Sequence, residues 1–116
     1  MTKQLKSLGE LSDMILDLKL AKLQDVNRQA DHLLAQNRKM EAAKLARNAE
    51  IAAAGGPDLA QFCGCDDAWH DWMGQAKQAR NLQLAKLYAE REERTADARK
   101  ALGRAEVIKT LLAQNK

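Results

Sequence analysis

The sequence predicts an all-α protein, two long helices folded into an antiparallel coiled-coil hairpin, and three observations predict it. Alanine, leucine, lysine, arginine and glutamate supply 64 of the 116 residues, above the roughly half that marks coiled coils and long helices. Aromatic residues supply only 3%, whereas a compact core takes much of its buried area from side chains of roughly 150–250 Å² each. The β-branched residues (Val26, Val107, Ile15, Ile51, Ile108 and three threonines) are scattered and never alternate with polar ones, so no sheet is expected.

Helix one is expected over about residues 3–54. Ser7-Leu8-Gly9-Glu10 fits a capping box, and Thr2 offers an earlier start. Leu8, Leu11, Ile15 and Leu18 follow the 3,4 spacing of a two-helix seam, which Val26, Ala30, Leu33 and Met40 resume after one eleven-residue step. Asn37, Lys44 and Arg47 weaken that seam, so this stretch either faces water or packs loosely near the turn.

The turn is expected over residues 55–67. Gly55-Gly56-Pro57-Asp58 stops the first helix, since glycine adopts the left-handed conformation past a helix end and proline cannot continue the ladder. Asp58 to Phe62 can form one short helical turn that Gly64 breaks, and Asp66 or Asp67 can cap the second long helix. Cys63 and Cys65, one residue apart, are expected as reduced thiols.

Helix two is expected over about residues 68–113, with a seam of Leu84, Leu87, Arg91, Arg94, Ala98, Ala101, Ala105, Ile108 and Leu112 and an eleven-residue step from Met73 to Leu84. Gly74 and Gly103 each cost about 1 kcal/mol relative to alanine inside a helix, so fraying is expected around both. Glu90 with Arg94 and Glu106 with Lys109 form supporting pairs. Folding the helices together brings Leu8 and Leu11 to Ile108 and Ala105, and Met40 to Trp72 or Ala76.

Residues 1–54 carry nine bases and seven acids, residues 55–74 four aspartates and no base, and residues 75–116 ten bases and five acids. The turn is therefore acidic and the second helix basic. The first residues lack an uninterrupted apolar run, and no window approaches the roughly 20 apolar residues that cross a bilayer. The expectation is a soluble, cytoplasmic protein.

No residues predict catalysis or a cofactor. No serine or cysteine has a base and an orienting partner nearby in sequence, and no phosphate-binding glycine loop is present. Cys63, Cys65, Asp66, Asp67 and His70 include metal-ligand types, yet their spacing does not make the paired motif of a tetrahedral zinc site, and no metal is expected. His32 stands alone on helix one and is expected in solvent or at the seam edge.

Partner binding is expected at Trp69, Trp72, Arg91, Arg94, Arg99 and Arg104. The tryptophans, three apart, share a face. Either they plug the end of the hairpin near Met40 and Phe62, or one stays exposed as an anchor, since tryptophan is enriched at binding hot spots. Arg91 and Arg94 occupy seam positions, where they either snorkel outward or meet an acidic partner. A basic arm for nucleic acid or ribosome is the alternative, although Glu90, Glu92, Glu93 and Asp97 interrupt the basic face and no aromatic platform accompanies it.

Ala68-Trp69-His70-Asp71-Trp72 followed by Gln75 to Leu87, then Ala89-Glu90-Arg91-Glu92 and the run from Ala98 to Val107, resembles the C-terminal helix of FliJ-type flagellar export proteins. The long first helix, the Gly/Pro break and the long charged second helix also fit that family and its YscO relatives, whereas Cys63-Gly64-Cys65 falls outside the family's pattern. The resemblance implies a cytoplasmic, non-catalytic stalk of a bacterial flagellum or type III secretion apparatus. It implies binding to the export ATPase hexamer and the export gate protein, with membrane association only through those partners and no small-molecule substrate. The segments implied to enter the ATPase ring run from about Leu5 to Leu18 and from Arg99 to Leu112.

Overall fold

The computed structural model describes residues 2–115, which are all-helical, with two long helices and no strand among them. α1 spans Thr2–Ala53, α2 Leu59–Phe62 and α3 Cys65–Gln114. Because α1 starts at Thr2, Ser7 is not a cap. Its hydroxyl donates back to the Lys3 carbonyl at 3.1 Å, the alternative available to serine inside a helix. α3 begins at Cys65, so Asp66 and Asp67 lie in its first turn, where their charge complements the helix dipole, instead of preceding it. It runs unbroken through Gly74 and Gly103, which corrects the expected fraying: the cooperative ladder of a 50-residue helix outweighs a cost of about 1 kcal/mol per glycine.

α2 forms where the sequence implies. Asp58 accepts from the Gln61 backbone N–H, and the Gln61 side chain accepts from the Asp58 N–H, completing a capping box on a single turn. Gly64, at φ +76°, supplies the left-handed residue before α3.

The chain divides into two compact units, Met1–Gln29 with Leu87–Lys116, and Ala30–Lys86. In the first unit the sheltered positions of α1 are Leu5, Gly9, Ser12, Leu16, Lys19, Leu23 and Val26. They follow an unbroken heptad that continues into Ala30, Leu33, Asn37 and Met40. This corrects the expected seam. Leu8, Leu11, Ile15 and Leu18 are between 39% and 56% exposed, because each sits one position before a seam residue, about 100° round the helix. The eleven-residue step in α1 is not used.

The facing positions of α3 are Leu87, Arg94, Ala98, Ala101, Ala105, Ile108 and Leu112. Arg91, assigned to this seam from sequence, is instead exposed, with its guanidinium 4.6 Å from the Tyr88 ring centroid in a cation–π contact. Gly9, Ser12, Ala98, Ala101 and Ala105 are small, so the helices approach closely there. A Cβ added to Gly9 would lie 3.3 Å from Leu112 and 3.4 Å from Ile108.

In the second unit Met73, Ala76, Arg80 and Leu84 are sheltered, a 3,4,4 spacing that is the expected eleven-residue step. The polar seam residues are not loose. Arg80 Nε donates to Asn37 Oδ1 at 2.6 Å, and Asn37 Nδ2 donates to Asn81 Oδ1 at 3.2 Å. Met40, His70 and Met73 line a small pocket.

Candidate functional site

The second unit is organised around Arg47. Its Nη1 and Nη2 donate to the two carboxylate oxygens of Asp58 at 2.7 and 2.9 Å, and its Nε donates to Asp66 at 2.7 Å. One planar guanidinium thus ties α1 to the cap of α2 and to the first turn of α3, using the fork geometry that suits paired carboxylates. The hydrogen bond from Arg47 holds the Asp58 carboxyl down at about 2. The same two aspartates push the guanidinium above its already high ordinary value. Arg47 was legible only as a seam interruption. The Arg47, Asp58 and Asp66 triad is a long-range coincidence that sequence spacing does not reveal.

Cys63 and Cys65 are joined as a disulfide, and no free cysteine is present among the described residues. This overturns the expected reduced thiols. Gly64 bends the chain so that the two Cα atoms lie 5.4 Å apart, within bridging range. His70 Nε2 lies 3.5 Å from the Asp66 carboxylate, which Arg47 already occupies. Among the described residues no group of three or more histidine, cysteine, aspartate or glutamate side chains is placed to hold a metal.

The tryptophans separate in environment. Trp69 is half-buried, lining a shallow hollow with Arg47 and Asp66 and meeting the His70 ring edge-on at a centroid distance of 5.1 Å. Trp72 is 57% exposed and Phe62 76% exposed. They therefore do not plug an end around Met40, and Trp72 is the side chain free to act as an anchor.

A second surface lies in the first unit. Leu8, Leu11 and Ile15 of α1 line one wall of an open groove, and Gly103, Val107 and Ile108 of α3 line the other. Lys100 and Arg104 stand on the α3 rim. The wall residues Leu8, Leu11 and Ile15 precede seam positions by one, whereas Glu10, Asp13 and Asp17 follow seam positions by one. Glu10, Asp13 and Asp17 are thereby kept off the groove. Arg99, also expected to bind a partner, follows a seam residue and is exposed on the other flank of α3. Arg94 is half-buried and turned to Glu90 at 3.5 Å, the expected pair. Glu106 and Lys109 make no ion pair among the described residues. His32 is exposed, 3.2 Å from Gln36.

No helix of the described chain is long and apolar enough to cross a membrane. Comparison with protein-family models, with curated proteins and with solved structures returns no match.

Proposed function

We propose that this chain is a non-catalytic stalk, two long helices paired as an antiparallel coiled-coil hairpin, of a flagellar or type III protein export apparatus. The observation that carries the reading is the register of the contacts between helices. Within each unit they pair residues whose numbers sum to a narrow range, 113 to 121: Gly9 beside Ile108 and Leu112, Asn37 with Arg80 and Asn81, and Arg47 with Asp66. A near-constant sum is the signature of chains running in opposite directions. That layout, with the W-x2-W start of α3, is what resembles the FliJ and YscO proteins.

On this reading the chain engages the export ATPase hexamer through the segments around Leu5 to Leu18 and Arg99 to Leu112, and couples it to the export gate. It acts through contacts alone, in the cytoplasm and at the inner membrane by way of its partners. Co-purification with the export ATPase of the same genome, and ATP hydrolysis with and without this chain, test it. Association with raised turnover is the expected result, and no association at low or moderate salt sinks the reading.

The exposed cations Arg99, Lys100, Arg104 and Lys109, which make no ion pair among the described residues, favour a second reading as a basic arm for nucleic acid or ribosome. It requires binding to RNA that weakens steeply as salt rises.

A further inference from the structure

We infer that the groove of the first unit is a docking site for an acidic amphipathic helix of a partner protein. This rests on the reading that the chain works by binding proteins, and not on which apparatus it serves.

Three features select that occupant. The first is spacing. Leu8, Leu11, Ile15 and Leu18 recur at 3,4,3 along α1 with the exposure of a stripe left uncovered, and this is the pattern onto which a third helix packs. The chain's own second helix packs elsewhere, on the seam of Leu5, Gly9, Ser12, Leu16 and Leu23. The second is shape. The stripe forms one wall of a trough whose other wall is Val107, 60% exposed, with Gly103 leaving open space above α3. A concave trough fits a rod-like apolar ridge better than it fits a flat bilayer.

The third is charge. Lys100 and Arg104 flank the trough, neither has an ion-pair partner among the described residues, and no carboxylate lines it. Carboxylates flanking the apolar ridge of an incoming helix would meet both cations, at the positions that set partner choice in coiled coils. A second copy does not supply them. Its own trough carries the same two cations and no carboxylate.

Two labelled helical peptides of about three heptads test this, each with leucine at the core positions and either glutamate or lysine at the flanking ones. Fluorescence anisotropy against the full chain is expected to give binding of the glutamate peptide at least about tenfold tighter than of its lysine twin. Lys100→Glu with Arg104→Glu is expected to reverse that order. Leu11→Gln with Ile15→Gln is expected to weaken both peptides by about tenfold or more while circular dichroism reports unchanged helix content, since these side chains are exposed in the folded chain. Equal binding of the two peptides overturns the inference. So does a dimer in sedimentation that the Leu11→Gln, Ile15→Gln variant dissociates, which would give the groove to a second copy. So does binding to phosphatidylglycerol vesicles, lost in that variant, without binding to either peptide. Failure of the export ATPase to associate while the glutamate peptide still binds removes the export reading and leaves the groove assignment standing.

Discussion

The two units solve the pairing of the same two helices in opposite ways. In the first, glycine, alanine and serine stand among leucines on the seam, so the backbones come close at Gly9, and Leu8, Leu11, Ile15 and Leu18 lie on the flank. In the second, Asn37 bonds Arg80 and Asn81 across the seam and Arg47 bonds Asp58 and Asp66, while Arg80 Nη2 is buried without a partner. Small residues give attraction through many close contacts but little surface burial per residue. Polar seam residues give little net attraction, yet they fix register, because a shifted pairing leaves their hydrogen-bonding groups unmet. The first unit therefore leaves apolar surface uncovered, and the second fixes which residue faces which.

The sharpest way to break this contrast is to place a charge in the small-residue seam. Ala101 is 5% exposed, on the seam. Ala101→Asp is expected to cost roughly 2–4 kcal/mol, as burying a carboxyl does. Thermal unfolding followed by circular dichroism reads it. An unchanged melting temperature would mean that these residues do not face one another.

A smaller and more local effect is expected in the second unit. Arg47→Ala leaves Asp58 and Asp66 side by side without their common donor, so hydrogen exchange of backbone amides in residues 58–70 should rise while the first unit keeps its protection. The acid response locates the same clasp. The Asp58 carboxyl lies at about 2 in the folded chain against an ordinary 3.8, lowered first by the hydrogen bond from Arg47. A carboxylate whose folded value is depressed stabilises the folded state above its unfolded value and loses that contribution as pH falls through the folded one. The second unit of the wild type should therefore loosen between about pH 4 and pH 2, and the Arg47→Ala variant should show a weaker transition in that window, because only the Gln61 N–H bond to Asp58 remains.

Helix class was legible because composition and the Gly55-Gly56-Pro57 break act locally, and so was the short turn before Gly64. The seam of α3 was legible from Leu84 onward, Arg91 excepted, because Leu84, Leu87, Ala98, Ala101, Ala105, Ile108 and Leu112 keep one helical stripe. The seam of α1 was not legible before Val26, because that half carries two apolar stripes and the one with larger residues reads as the stronger signal. Burial chose the other, which keeps phase with Val26 and Ala30 and lets Gly9 admit Ile108 and Leu112. Of the expected binding residues, Arg104 lies on the groove rim and Trp72 is exposed. Arg91 and Arg94 are engaged with Tyr88 and Glu90 on their own helix. The groove was not legible because its leucines have the spacing of a seam.

The finest test of that reassignment uses two leucines on one helix. Leu23 is half-buried on the seam, and Leu11, 51% exposed, is on the stripe beside it. If the large residues before Val26 formed the seam, Leu11→Ala would be the damaging change. With the seam as observed, Leu23→Ala is expected to cost about 1–2 kcal/mol, less than the 2–5 of a fully enclosed leucine because part of its surface already meets water. Leu11→Ala is expected to stay within about 0.5 kcal/mol, as exposed substitutions do. Urea unfolding of both variants gives the order directly, and a reversal would return Leu8, Leu11, Ile15 and Leu18 to the helix pair and leave the groove without its wall. With the order as expected, truncating Leu11 should cost little in the isolated chain and much in a complex, which is the division of labour expected of a surface kept for a partner.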